Sequence, residues 1–153
     1  WILGVRCKTG DSFVVPVAVA VAIGRLGCFV AGCCYGLPTQ LPWGIRSAIN
    51  DSTLRHPTQL YEFLFHISMA AAMLWLARLG IWKGQLAKFY ILSYLLYRLG
   101  TEVLRPETRV QWGLTGYQWF ALLLLPVFAG LWWRDAKQFA RMTSEPEWGI
   151  RHE

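Results

Sequence analysis

The chain has 153 residues, of which 55% are hydrophobic, 15% aromatic and 16% charged, with 9 Trp and a formal net charge of +6. Soluble domains carry about 25% charged residues, so the composition excludes an ordinary soluble domain, along with disorder, a collagen-like chain and a coiled coil. What remains is an all-α, polytopic transmembrane helix bundle with aromatic side chains at the membrane interfaces.

A helix needs about 20 mostly apolar residues to cross roughly 30 Å of hydrocarbon, and the first such stretch runs from about Phe13 to Gly36. It exceeds the apolar core of a cleavable signal and contains Arg25, so it is expected to stay in the membrane. Charge inside a span costs at least about 2.5 to 3.5 kcal/mol and persists where it faces the protein interior or has a function. Helical spacing puts Arg25, Cys28, Phe29 and Gly32 on one face. The Gly32/Gly36 and Gly27/Ala31 pairs predict close approach of a neighbouring helix, mostly a packing feature. Cys28, Cys33 and Cys34 lie five and six residues apart, a spacing that scatters thiols around a helix and argues against a metal site. Buried apolar cysteines are the simpler reading, with a membrane thiol-disulfide redox protein as one alternative.

The second predicted span, from about Leu60 to Leu79, is preceded by Arg55-His56-Pro57-Thr58-Gln59 and opens Leu60-Tyr61-Glu62. Pro57 suits the first turn of a helix. Gln59, Glu62 and His66 then share one face. His66 is a candidate base near neutral pH, or else a hydrogen-bond partner of a neighbouring helix. His56 sits where a residue more often positions a loop than does chemistry. The third span, from about Leu86 to Leu104, carries a polar stripe of Tyr90, Tyr94, Tyr97, Arg98, Thr101, Glu102 and Arg105 at steps of three and four. Arg98 and Glu102 can pair, as a structural lock or as part of a site, and an arginine fork there is suited to a phosphate such as a phospholipid headgroup. The fourth span runs from about Tyr117 to Trp133. A transmembrane domain over 1–135 and a short soluble tail over 136–153 follow from this division.

With four spans both termini share a side. Arg6, Lys8, Arg78, Lys83, Lys88, Arg134, Lys137, Arg141 and Arg151 fall on it, against Arg46, Arg55, Arg105 and Arg109 on the other. Nine against four places both termini in the cytoplasm. The surplus is explained by topology and anionic lipid, so no nucleic-acid partner is expected.

Three stretches resemble the bacterial prolipoprotein diacylglyceryl transferases: Gly24-Arg25-Leu26-Gly27 through Tyr35-Gly36 with Pro42-Trp43-Gly44, then Arg55 to Glu62, then Tyr97-Arg98 through Glu102 to Arg105-Pro106-Glu107. Leu114-Thr115-Gly116-Tyr117-Gln118 looks like the family's entry to its last helix. The resemblance implies a multi-pass inner-membrane enzyme that moves the diacylglyceryl group of phosphatidylglycerol to the lipobox cysteine of precursor proteins, releasing glycerol phosphate, with its active site toward the outer leaflet. It implies functional roles for Arg25, Gly36, Arg98 and Glu102. The resulting candidates are Arg98, Glu102 and His66 as catalytic, and Arg25, Gly36, His56, Gln59, Tyr61 and Glu62 as substrate-binding. Neither metal nor cofactor is expected. A non-catalytic phospholipid-binding protein of the same fold is the other alternative. The chain lacks the family's upstream His-Gly-Gly segment and a functional tyrosine, and has Cys28, Cys33 and His66 where the family usually has Asn, Glu and often an acid. With Trp1 at its start, it reads as a divergent or N-terminally truncated member.

Overall fold

The structure, a computed structural model, describes residues 10–46 and 52–144. Trp1, Arg6, Cys7, Lys8 and Arg151 lie outside the described residues. Four helices dominate: α1 (Gly10–Val30), α2 (Thr58–Arg78), α3 (Leu86–Thr101) and α4 (Gly116–Ser144). Two short antiparallel ribbons, β1 (Ile45–Arg46) with β2 (Leu54–Arg55) and β3 (Arg109–Gln111) with β4 (Leu114–Thr115), decorate the loops at one end. The expected helix bundle is present, with α1 packed along α2 and α3 along α4.

Three of the four helices are long and apolar enough to cross a membrane: α1, α2 and the Gly116–Lys137 part of α4. The third is shorter than its predicted span. Its 16 residues extend about 24 Å at 1.5 Å per residue, and a single 3₁₀ turn, Glu102–Leu104, follows. Pro106 explains the stop: the residue before a proline is driven out of the helical region, and Arg105 is extended at φ −105°, ψ 145°. In α4 the helix continues to Ser144, so the expected junction at 135/136 falls inside a continuous helix. Phe13 and Ile23 on α1, Leu64 and Trp75 on α2, and Phe120 and Leu123 on α4 are exposed, as lipid-facing side chains are.

Helices α1 and α2 end in the same way. At α1, Gly32 has φ +69°, its N–H bonds Phe29 O and the Cys33 N–H bonds Cys28 O. At α2, Gly80 has φ +70°, its N–H bonds Ala77 O and the Ile81 N–H bonds Leu76 O. Both are Schellman caps with glycine in the left-handed position. The cap ends α1 at Val30, six residues before the predicted end, so Gly32 and Gly36 are not on a helix face. A Cβ built on Gly27 or Gly24 meets nothing within 4 Å. The expected small-residue helix seam is therefore absent at these glycines.

The short α3 is held at both ends. The Asp11 carboxylate at the start of α1 accepts from the Gly84 N–H and, at 3.4 Å, from the Ala87 N–H, capping a helix that has no side-chain cap of its own. Lys88 joins Asp135 of α4 at 2.6 Å. The apolar core, Val14, Ala18, Ala70, Met73, Leu86 and Tyr90, fills this end of the bundle. Polar side chains fill the other.

Candidate functional site

The polar end is built where the C-termini of α1 and α3 meet the N-termini of α2 and α4. Glu62, in the second turn of α2, is its hub. It is 1% exposed, yet takes three guanidiniums from three parts of the chain. Arg98 Nη1 donates to Oε1 at 2.7 Å, Arg105 Nη2 donates to the same oxygen, and Arg25 Nε forms an ion pair with Oε2. Arg98 also reaches Glu102 Oε2 at 3.1 Å, the i,i+4 pair expected from the sequence. The Thr115 hydroxyl donates to Glu102 Oε1 at 2.9 Å, and the Arg98 guanidinium lies 4.6 Å from the centre of the Tyr117 ring. Glu62 Oε2 and Glu102 Oε2 face their arginines as ion pairs without hydrogen-bond alignment.

Three arginines and two glutamates leave this cluster with one net positive charge. A buried charge needs pairing and hydrogen bonds to persist, and Arg98 and Arg105 have both. Arg25 differs, with 23% of its side chain exposed against 8% and 7% for the others. It is the guanidinium with donors to spare for an outside anion.

Gly36 is close-packed for a backbone reason. A Cβ there would stand 2.7 Å from Leu104 O and 2.8 Å from His56 Cβ, closer than atoms pack. The Gly36 N–H bonds His56 O at 2.9 Å and the Leu37 N–H bonds Leu104 O at 2.8 Å, so this loop ties α2's start to α3's end. Gly36 thus supports the site without a side chain. Gln59 donates to Cys33 O and Thr58 to Cys34 O, pinning the turn after α1. Tyr61 accepts from Trp43 Nε1 at 2.8 Å and lies 3.2 Å from His56 Nδ1, a chain that braces the outer loops. His66 lies deeper, 1% exposed, with Tyr90 OH 2.8 Å from Nδ1 and Phe65 and Tyr94 against its ring. Its Nε2 has no hydrogen-bond partner among the described residues.

The structure therefore gathers Arg25, Glu62, Arg98 and Glu102 into one network, seats Gly36, His56, Gln59 and Tyr61 in its supporting loops, and sets His66 one turn below Glu62. Arg105 and Thr115 join the network although neither stood among the site candidates. The periodicity that placed Arg105 on the polar stripe was its signal, whereas Thr115 showed only as part of the Leu114–Gln118 resemblance and is brought in by the β3–β4 ribbon.

Two open clefts flank the segment Arg105–Glu107. One, of about 350 Å³, is polar and lined by Cys33, Cys34, Tyr35, Arg55, Arg105 and Glu107. The other, of about 540 Å³, is more apolar and includes Val110, Tyr117 and Phe120 alongside Glu107. Both fall in the size range of small-ligand sites. The Cys33 thiol, beyond the end of α1, is pushed up to about 11 by its hydrogen bond with Cys34 and then by desolvation. It is a thiol, not a thiolate, at neutral pH.

Comparisons with known proteins agree on one family. The family model described as prolipoprotein diacylglyceryl transferase matches residues 5–134. A phosphatidylglycerol–prolipoprotein diacylglyceryl transferase of Clostridium tetani is 40% identical over 106 residues, covering 67% of this chain and 43% of the relative. The second such protein of Streptomyces coelicolor is 36% identical, covering 74% and 39%, and that of Polaromonas is 34% identical, covering 84% and 50%. The chain spans about half the length, or less, of these curated relatives. No solved structure matches it significantly. With the apolar helices, these matches make the chain a helical membrane protein, and it belongs to the prolipoprotein diacylglyceryl transferase family.

Proposed function

We propose that the arginine-rich end of the bundle is the phosphatidylglycerol headgroup site of a diacylglyceryl transferase acting on lipobox cysteines. The observation that carries this reading is the convergence of Arg25, Arg98 and Arg105 on buried Glu62, which together with Glu102 against Arg98 leaves one net positive charge for a phosphodiester of one negative charge. Arg25, the most exposed of the three arginines, meets the phosphate, while Glu62, Glu102 and Thr115 hold Arg98 rigid behind it. The polar and apolar clefts side by side suit an amphiphile with a charged head and acyl chains.

In the reaction, the precursor's cysteine sulfur attacks the glycerol carbon that bears the phosphate. The S–C bond forms as the C–O bond breaks, and glycerol phosphate leaves with the electron pair. Preorganised guanidiniums stabilise that developing charge without reorganising. The nucleophile belongs to the substrate, so none is needed from this chain. The thiol's proton goes to a base, and His66 Nε2, buried and without a partner among the described residues, is the candidate. An inner-membrane location with this end toward the outer leaflet is supported by the distribution of Lys and Arg.

The test incubates the full chain in phosphatidylglycerol-containing micelles with a lipobox peptide. Glycerol phosphate release that is lost on Arg25→Ala supports the proposal, and release insensitive to that change refutes it. Headgroup-dependent lipid binding without release would instead favour a phospholipid-binding role.

A further inference from the structure

The thiols of Cys28, Cys33 and Cys34 take no part in the arginine network; Cys33 and Cys34 line the polar cleft, but the transferase reading gives their sulfurs no role. Their sequence spacing argues that the thiols scatter around a helix, and the structure overturns that argument. Helix α1 ends at Val30, and the Schellman cap reverses the chain at Gly32. In this cap the residue after the left-handed glycine packs on the residue that opens the last turn; here those residues are Cys33 and Cys28. The Cys33 Sγ sits 3.5 Å from Cys28 O. Cys34, itself left-handed at φ +62°, turns back toward them. As a result all three sulfurs lie within 4.8 Å of one another.

We propose that Cys28, Cys33 and Cys34 form a three-thiolate site for a soft, thiophilic cation of the zinc or copper(I) class. Three sulfurs about 2.3 Å from a common ion stand about 3.8–4.0 Å apart, and since the present sulfurs lie within 4.8 Å of one another the arrangement needs to contract by about 1 Å at most. Thiolates select this class over hard cations. The backbone is set for it: Gln59 and Thr58 of α2 bond the carbonyls of Cys33 and Cys34, so the turn is anchored from outside. Cys33 and Cys34 are exposed, which gives the ion a path of entry and leaves a coordination position open. Three thiolates around a divalent cation carry one net negative charge, and Arg55 and Arg105 line the adjoining cleft. The site stands on the geometry of the cap and is independent of whether the chain transfers lipid.

The test titrates Cd²⁺ alone into the full chain in detergent, kept reduced by a phosphine, with Cys7→Ser introduced so that only the three clustered thiols report. Thiolate-to-cadmium ultraviolet absorption is expected to saturate at one ion per chain. Cys28→Ser, Cys33→Ser and Cys34→Ser should each weaken binding by at least about tenfold, no less than the loss of an outer-shell partner does in known sites. Maleimide labelling mapped by peptide mass, run on the unsubstituted chain so that no variant need fold, should show the three thiols shielded together. Unchanged labelling with Cd²⁺ would overturn the proposal, as would a Cys28→Ser variant that titrates like its parent. A redox pair would overturn it too, by joining two of the thiols once the phosphine is removed and by leaving Cys28 unprotected when Cd²⁺ is added to the reduced chain.

Discussion

Replacing Glu62 by Gln tests the arginine hub most severely. The change keeps the volume and removes the carboxylate that three guanidiniums share, so the cluster's net charge rises from one positive to two. Breaking a buried ion pair by removing one partner costs about 3–5 kcal/mol, because the remaining charge is left uncompensated. Glu62 is 1% exposed and water cannot take the carboxylate's place, so the upper part of that range applies. For a chain of this size each kcal/mol moves the midpoint by about 2–4 °C, and at about 4–5 kcal/mol the expected fall is about 8–20 °C. Intrinsic tryptophan fluorescence during thermal unfolding in detergent reads it, with Glu107→Gln as the exposed control. Arg98→Gln should destabilise more than Arg25→Gln, since the Arg98 side chain is the more buried, at 8% against 23% exposed. A Glu62→Gln midpoint within about 2 °C of the parent would refute the reasoning that the arginines depend on this carboxylate.

Further outcomes follow from individual contacts. Gly36→Ala would put a Cβ 2.7 Å from Leu104 O, and since a backbone oxygen must then move, destabilisation of about 1–3 kcal/mol is expected, readable as a lower thermal midpoint. Thr115→Val removes the hydrogen bond to Glu102, a bond to a charged group worth about 1.5–3 kcal/mol, and should lower the midpoint comparably. Asp11→Ala strips the cap from α3, for about 1 kcal/mol, with faster amide exchange at Gly84 and Ala87 as its signature. The Cys33 thiol, pushed up to about 11, is protonated below that pH and a thiolate above it. Its alkylation rate should therefore still be climbing at pH 10, where an unperturbed thiol, near 8.5, has levelled off.

Some of this architecture was legible from the residues and some was not, for physical reasons. The Arg98/Glu102 pair follows from an i,i+4 spacing, and the face shared by Gln59, Glu62 and His66 follows from helical periodicity. That Glu62 rather than Glu102 collects the arginines could not be read, because Arg25, Arg98 and Arg105 arrive on it from separate elements whose packing is tertiary. The shortness of α3 was written in Pro106, whose effect on Arg105 outweighs the apolar run to Leu104. The thiol cluster was hidden by treating the whole segment to Gly36 as one helix. Gly32 marks the reversal, since glycine just after a periodic segment is a helix stop. The Schellman cap then converts steps of five and six residues into proximity.

The account's central claim is that the guanidiniums around Glu62 bind the headgroup whose diacylglyceryl moiety is transferred. Intact-mass analysis of a lipobox peptide after incubation with the full chain and phosphatidylglycerol addresses it most directly. The peptide is expected to gain one diacylglyceryl group on its cysteine with the parent chain, and none with Arg25→Ala or Arg98→Ala. An equal gain with the arginine variants, or a gain from a lipid that lacks the glycerol phosphate headgroup, would contradict it.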